Sequence, residues 1–264
     1  MSTIVYCHAH PDDEASQTSG AMARAAAEGH RVVVVFATNG DHGEVASDAV
    51  DGESVADYRR REAEASAKVI GLARIVWLGY ADSGMTGWEQ NDAEGSFFRA
   101  DLDEAARRLA DVLDEEDADV LVGYDWHGGY GHPDHVKVHQ LVHRAAPLAR
   151  RTPRLLESTM NRSAMKRFFE EAKEAGMPIP DWSPDDPMDD GNPLGSTEDE
   201  ITWEVDVSSY LDQKRGALEA HRSQASDINE FLSMPADVFA RVFSFEHYIE
   251  PGIEGPMRRG WPFR

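Results

Sequence analysis

Short apolar stretches rich in β-branched residues recur along the chain, and longer amphipathic stretches rich in alanine separate them. The apolar stretches have the length and composition of buried strands and cover residues 3–8, 31–37, 74–78 and 120–124. The amphipathic stretches have helical periodicity and cover residues 15–28, 55–70, 97–113 and 135–145. Farther along, residues 202–207 alternate as a strand would, and residues 209–223 have a helical pattern.

This alternation of strands and helices predicts the fold class. Strands that alternate with helices form βαβ units, which give a parallel sheet covered by helices on both faces. Because the crossovers are right-handed, we expect an α/β fold, a Rossmann-like three-layer sandwich with a mostly parallel sheet. Ligands of such folds bind at the carboxyl ends of the strands.

Two clusters of histidines and carboxylates follow two of the predicted strands. The stretch HAHPDDE, residues 8–14, ends the first strand, and HPDH, residues 132–135, follows the strand at 120–124. Both clusters are therefore expected at the same edge of the sheet, facing each other. Since buried unpaired charge is very costly, such a group requires a cation, a set of partners or open solvent.

The spacing within the clusters suits a metal ion. His10 and Asp13 are three residues apart, as are His132 and His135, and side chains three apart on a helix share a face. One His-x-x-Asp and one His-x-x-His can supply three ligands and leave a further group free. Catalytic zinc has three protein ligands and an open position for water. A nucleotide site is disfavoured because no Gly-rich turn follows the first strand.

Charge narrows the classes of partner. The chain has 49 acidic and 26 basic residues and a formal net charge of -23, which opposes binding to nucleic acid or to anionic membranes.

A single cysteine, Cys7, excludes an internal disulfide and a multi-cysteine metal site. No apolar run approaches the roughly twenty residues of a membrane span, and we expect a soluble, cytoplasmic protein. Nothing in the pattern indicates an oligomeric state.

One segment differs from the rest in composition. Residues 178–200 are rich in proline, glycine and aspartate and are predicted to form a long loop or a lid. There is no internal repeat and no firmer boundary, so we expect residues 1–264 to form a single domain.

The paired motifs HPDDE and GHPDH resemble those of the LmbE-like or PIG-L superfamily of zinc-dependent N-deacetylases, in order and spacing, over roughly residues 1–145. That superfamily removes acetyl groups from N-acetylglucosamine derivatives. Further motifs are most similar to two mycothiol-pathway enzymes, the N-acetylglucosaminyl-inositol deacetylase and the mycothiol S-conjugate amidase. These motifs are DSGM at 82–85, GGYG at 128–131, Lys214-x-x-Ala217 and His221-x-Ser223-Gln224.

The resemblance implies a ligand set. It assigns the metal, zinc or alternatively ferrous iron, to His10, Asp13 and His135. Zinc can lower the pKa of bound water to about 7, which supplies hydroxide near neutral pH.

The resemblance also implies catalytic roles. Asp12 would be the general base and His132 the general acid, with Asp134 orienting His132 and keeping it protonated. Tyr130 would stabilise the oxyanion together with the metal.

Residues that contact substrate are implied at Arg59, Asp82 and Met85. The chain departs from the family pattern at residues 40–44, GDHGE, where the more usual sequence is Gly-Glu-x-Gly-Glu. This departure affects the substrate side of the site and leaves the metal ligands unaffected.

Several functions remain open at this point. The leading hypothesis is a hydrolase that removes the acetyl group of an N-acetylglucosaminyl-inositol, with a small amino-sugar derivative as partner. Alternatives are an amidase for a bulkier thiol conjugate and a deacetylase of another amino sugar. A sugar-binding protein without turnover is disfavoured because Asp12 and His132 are both present.

Overall fold

The computed structural model describes residues 1–43, 52–177, 179–188 and 190–263. Within them, eight strands form one sheet in the order β3-β2-β1-β4-β5-β7-β6-β8. The strands are β1 Thr3–His8, β2 Arg31–Thr38, β3 Arg74–Tyr80, β4 Val120–Tyr124, β5 Arg154–Thr159, β6 Trp203–Asp206, β7 Phe245–Ile249 and β8 Arg258–Arg259. Strands β1 to β5 pair in parallel, whereas β7 pairs antiparallel with both β5 and β6.

Helices cover both faces of this sheet. They are α1 Ser19–Ala27, α2 Val55–Ile70, α3 Leu102–Glu116, α4 Pro133–Ala145, α5 Arg162–Glu174, α6 Leu211–Ala220, α7 Ala225–Ser233 and α8 Ala236–Phe243. Ile4 and Tyr6 of β1 lie in the core with α1, α2 and α6, whereas Val5 and Cys7 lie in the core with α3 and α4. The predicted three-layer α/β sandwich with a mostly parallel sheet is confirmed.

Local signals account for helix boundaries that differ from the predicted ones. The helix expected at 97–113 begins at Leu102 because the side chain of Asp101 accepts a hydrogen bond from the Glu104 amide, which caps the first turn. The stretch expected to be helical from residue 15 starts with a π-helical turn, Glu14–Thr18, and becomes α-helical at Ser19. A π-helical turn is common at functional sites.

The fold brings the two His-rich loops together. Strand β1 pairs directly with β4, with Tyr6 opposite Val122, so the loops that leave these strands start at the same edge of the sheet. The loop after β1 contains HPDD, and the loop after β4 contains GGYG and leads into α4 at Pro133.

The segment predicted as a lid packs against the loop after β4. The Gly195 amide donates a hydrogen bond to the Gly129 carbonyl at 2.7 Å, and the Arg162 guanidinium donates to the carbonyls of Leu194 and Gly195 at 3.0 Å each. Pro178 and Asp189 lie outside the described residues. Among the described helices, none is both long and apolar enough to cross a bilayer.

Candidate metal centre

Three side-chain atoms, two from the loop after β1 and one from the first turn of α4, form a nearly equilateral triangle. His10 Nδ1 lies 3.4 Å from Asp13 Oδ2, and His135 Nε2 lies 3.3 Å from Asp13 Oδ2. His135 Nε2 also lies 3.3 Å from His10 Nδ1. All three residues are buried. The atoms therefore converge on one point between the carboxyl ends of β1 and β4.

This triangle has the dimensions of a zinc site. Tetrahedral ligands at about 2.0–2.1 Å from an ion are about 3.3 Å from one another, which matches the observed separations of 3.3–3.4 Å. His132 is an alternative third ligand, but the atoms that it, His10 and His135 offer are only within 4.8 Å of one another. The atoms of His10, Asp13 and His135 lie closer together, so this set can bind an ion without rearrangement.

The outer nitrogens of both imidazoles are fixed by hydrogen-bond acceptors. His135 Nδ1 lies 3.1 Å from the Gly128 carbonyl, and His10 Nε2 lies 3.2 Å from Asp134 Oδ2 and 3.6 Å from Asp82 Oδ1. Because a carbonyl and a carboxylate accept, the outer nitrogens carry the protons and the inner nitrogens keep their lone pairs. Such partners set the tautomer of metal-binding histidines.

The side chain of Asp134 contacts His10 and the DSGM turn. Asp134 Oδ2 contacts His10 and accepts a hydrogen bond from the Ser83 amide at 2.9 Å. Its contact with His132 runs through the main chain, since the Asp134 amide donates to His132 Nδ1 at 3.1 Å. The carboxylate thus contacts His10, because α4 directs it across the site, and the contact with His132 is made by the main chain.

Buried charges shift the ionisation of the ligands. Burial alone would lower the pKa of His10, but the carboxylates of Asp82, Asp13 and Asp134 outweigh it and raise that pKa well above its usual value. Burial likewise opposes ionisation of Asp13, yet His135 and His10 hold the pKa of Asp13 well below its usual value. The three carboxylates around His10 thus favour a positive charge at this position.

Asp12 has a backbone conformation that is rare for a non-glycine residue, with φ of 105°. Its Oδ2 lies 3.2 Å from the Arg59 guanidinium, and its side chain is 25% exposed, more than that of Asp13 at 9%. Burial raises the pKa of Asp12 to about 6, although Arg59 acts in the opposite direction. The Asp12 carboxylate is therefore paired with Arg59.

A buried network fixes the backbone of Asp12. Its amide donates a hydrogen bond to Glu14 Oε2 at 2.8 Å. Glu14 Oε1 accepts from the Ser66 hydroxyl and lies close to His221 Nε2, at 2.6 Å in each case. Glu14 and His221 are fully buried. Sequence reasoning assigned no role to His221, although the motif His221-x-Ser223-Gln224 marked its position.

His132 lies at the N-terminus of α4 with its ring centroid 4.6 Å from that of His10. Because Nδ1 accepts the Asp134 amide, the neutral ring carries its proton on Nε2. Burial, together with the charges of His10 and His135, lowers the pKa of His132 to about 2. This direction is opposite to the one expected from a partnership with the Asp134 carboxylate.

The remaining predicted residues surround this centre. The Tyr130 ring lies edge-on to the His135 ring, with centroids 4.9 Å apart. Arg59 is buried and donates to the carbonyls of Gly40, at 2.6 Å, and Pro11. Through these contacts Arg59 stabilises the loop that carries Asp12.

The DSGM turn adjoins the site through its first residue. Asp82 is buried beside His10 and accepts a hydrogen bond from the Gly84 amide at 2.8 Å, while Met85 is half-buried and its carbonyl accepts from the Trp88 amide. In the GDHGE stretch, Asp41 Oδ1 accepts from the Asp82 amide at 3.1 Å. Glu44 lies outside the described residues.

Comparison with known proteins identifies a family and close relatives. The profile of the PIG-L family, described as GlcNAc-PI de-N-acetylase, matches residues 5–146. A 1D-myo-inositol 2-acetamido-2-deoxy-alpha-D-glucopyranoside deacetylase from Thermobispora bispora is 33% identical, over 98% of this chain and 91% of that protein. The enzyme of the same name from Acidothermus cellulolyticus is 34% identical, over 94% of this chain and 88% of that protein.

Solved structures share the fold at lower identity. The N,N'-diacetylchitobiose deacetylase from Pyrococcus horikoshii has a TM-score of 0.60 at 23% identity, over 94% of this chain and 82% of that one. GalB, a 4-carboxy-2-hydroxymuconate hydratase from Pseudomonas putida, has a TM-score of 0.61 at 18% identity, over 98% and 99%. Proteins of this fold thus catalyse two classes of reaction. The reaction of this chain therefore has to be inferred from the side chains of its site.

Proposed function

The chain belongs to the PIG-L family of GlcNAc-PI de-N-acetylases, and from this premise we propose that it hydrolyses the acetamide of an N-acetylglucosaminyl-inositol. Curated relatives named for that reaction are 33–34% identical over nearly the whole chain. The products are acetate and the primary amine of the sugar. The observation that carries the proposal is the ligand triangle of 3.3–3.4 Å with a separate carboxylate beside it.

The metal ion is assigned to His10, Asp13 and His135. Two imidazoles and a carboxylate form a donor set typical of catalytic zinc, and zinc is therefore the proposed ion. When bound, zinc supplies Lewis acidity, which makes water acidic near neutral pH and polarises a carbonyl. The chain contributes the orientation of both imidazoles through Asp134 and Gly128.

Asp12 is proposed as the general base. With its pKa raised only to about 6, it is ionised at neutral pH, and the Arg59 guanidinium 3.2 Å away favours that ionised form. Asp12 takes a proton from the attacking water while the water oxygen forms its bond to the amide carbon. Glu14 and Arg59 are positioning residues, because they hold the backbone and the carboxylate of Asp12.

His132 is proposed to act as a neutral hydrogen-bond donor. Its Nδ1 lone pair is occupied by the Asp134 amide, so Nε2–H is directed to a partner outside α4. As the carbonyl oxygen of the substrate gains negative charge, Nε2–H donates to that oxygen. Tyr130, whose ring lies against His135, is proposed to complete this oxyanion site through its hydroxyl.

The departing nitrogen also requires a proton, because an amide anion is a poor leaving group. A neutral His132 would have to become an anion to supply it, whereas Asp12 has just acquired the proton of the water. We therefore assign this transfer to Asp12: its proton moves to the nitrogen as the carbon–nitrogen bond breaks, and its carboxylate is restored. This assignment differs from the family resemblance, which implied His132 as an imidazolium acid.

The substrate side is assigned from exposure. Arg59 and Asp82 are buried, and their side chains contact the Gly40 carbonyl and His10, respectively. They are therefore proposed to stabilise the site without contacting the sugar. Met85 is half-buried on the DSGM turn and is the proposed contact for the sugar. The segment around Gly195, which packs on Gly129, is proposed to limit the size of the group attached to the sugar.

A substrate panel tests this function. Zinc-loaded protein is incubated with N-acetylglucosaminyl-inositol, free N-acetylglucosamine, and a bulky thiol conjugate of the acetylated pseudo-disaccharide, and primary amine is measured. We expect chelator-sensitive release that is fastest from N-acetylglucosaminyl-inositol. Preferred release from the conjugate would favour the amidase instead, and no release from any substrate by metal-loaded protein would contradict the hydrolase.

A further inference from the structure

A second group of metal-binding side chains lies on α4 and β5, outside the catalytic centre. His139 and His143 are on consecutive turns of α4, and Glu157 is on β5. His143 Nε2 lies 2.6 Å from Glu157 Oε1, and His139 Nδ1 lies 3.5 Å from the same oxygen. The ligand atoms that the three residues offer all lie within 4.8 Å of one another, and rotation of the His143 side chain, which is 38% exposed, can bring them to ligand distances.

The spacing of the two histidines suits chelation. Residues four apart on a helix project from the same face, and a His-x-x-x-His pair on a helix is a recurrent zinc-binding element. The centroids of the two imidazoles are 4.5 Å apart. Because Glu157 comes from the neighbouring strand, an ion bound by all three residues would connect α4 to β5.

The charge balance of Glu157 also favours a cation. Its side chain is only 9% exposed, and its ion pairs within the part of the chain that the structure describes are with the two imidazoles. A buried carboxylate requires a positive partner, and here no described lysine or arginine supplies one. The side chain of His143 is 38% exposed, so solvent reaches the group.

From this arrangement we propose that His139, His143 and Glu157 bind a second divalent ion of the zinc class. Two imidazoles select transition metals over magnesium and calcium, which prefer oxygen ligands. The ion takes the place of the hydrogen that lies between His143 Nε2 and Glu157 Oε1 and requires the Nε2 lone pair of His143. The fourth position is left to water from the exposed side of His143.

The second ion has a structural role, since two of its ligands, His139 and His143, lie on α4, the helix that also carries His135. His139 lies four residues after the ligand His135, on the same face of α4. His139 Nδ1 lies 3.1 Å from the Tyr124 carbonyl, and the Tyr124 ring stacks on His135 with centroids 4.5 Å apart. Fixing His139 therefore stabilises the segment that positions His135.

Metal stoichiometry tests the second site without depending on the substrate. Metal-stripped, tag-free protein is titrated with zinc, and bound metal is counted after removal of the excess. We expect two equivalents for the unaltered chain. His143→Gln is expected to bind one equivalent. It should still deacetylate, because His143 has no contact with the catalytic triangle, but it should unfold at a lower temperature, because the ion that stabilises α4 is lost.

Two control variants separate the sites. His30→Gln removes a histidine that is 4.0 Å from a single carboxylate, Glu28, and should still bind two equivalents. His135→Gln should bind one equivalent, the one held by the second site. A single equivalent for the unaltered chain, or two equivalents for His143→Gln, would overturn the proposal. Glu157→Gln, which preserves the shape of the buried side chain, is expected to give the same count as His143→Gln.

Discussion

His221 Nε2 lies 2.6 Å from Glu14 Oε1, and this contact joins residues that are 207 positions apart in the chain. The other oxygen of Glu14 accepts the amide of Asp12, at 2.8 Å. The last third of the chain thus supports the backbone of the proposed base through one carboxylate. Asp12 needs this support because its φ of 105° is unfavourable for a non-glycine residue.

Replacing His221 with glutamine should therefore lower turnover and leave the metal in place. We expect kcat to fall by roughly 10- to 100-fold, the usual effect of losing an outer partner of a catalytic group. Steady-state kinetics and metal content of the same preparation measure the two effects. His30→Gln serves as the matched control. Loss of metal in proportion to loss of rate would mean that His221 supports the ligand loop as a whole.

Asp134→Asn tests which histidine that carboxylate serves. Because Asp134 contacts His10, we expect metal affinity to fall by about 10- to 100-fold. Competition with a chelator of known affinity measures the metal affinity of the variant. Asp103→Asn, which alters an exposed pair with Arg144, is the control. Unchanged affinity with a reduced rate would restore the expected partnership with His132.

Gly128→Ala should weaken the metal site through a steric contact. A β-carbon there would lie 2.3 Å from His135 Cβ, and the residue has φ of +68°. The variant must displace the ligand or its acceptor carbonyl, so metal affinity and activity should both fall. Gly176→Ala is matched in strain, with φ of +69° and no atom within 4 Å of the added carbon. Equal effects of the two changes on metal affinity would refute a specific contact.

Lys214→Met should destabilise the fold without changing the catalytic residues. Lys214 Nζ lies 3.0 Å from Glu246 Oε1, and both side chains are buried. Glu246 also accepts the amides of Gly20 and Ala21 at the start of α1. Removing one partner of a buried ion pair costs about 3–5 kcal/mol of unfolding free energy.

Urea unfolding at fixed metal concentration measures that loss. Lys68→Met, at an exposed position of α2, should change the unfolding free energy by less than about 0.5 kcal/mol. If both variants unfold at the same urea concentration, the buried pair does not stabilise the chain.

The central strands and the two His-rich loops were predictable from local sequence. Apolar runs marked β1 and β4, and their parallel pairing follows from the alternation with helices. Histidines and aspartates three residues apart then marked the residues that the fold brings together at the edge of the sheet. In these regions the predictive pattern lies in residues that are neighbours in sequence, so the elements could be predicted without tertiary structure.

Other features depend on tertiary contacts that local patterns do not encode. The antiparallel pairing of β7 with β5 and β6 is set by long connections, and the strands β5, β7 and β8 were not predicted. The orientation of Asp134 toward His10 depends on how α4 packs on the sheet. The contact of Glu14 with His221 could be suspected only from a motif with no assigned role.

The central claim is that one carboxylate of HPDDE binds the metal while its neighbour moves protons. Metal content and turnover of Asp12→Asn, measured beside His135→Gln on N-acetylglucosaminyl-inositol, test it most directly. The account predicts that Asp12→Asn keeps the catalytic metal and loses turnover by about 10²- to 10⁴-fold, whereas His135→Gln loses both. Equal loss of metal in the two variants, or unchanged turnover in Asp12→Asn, would contradict it.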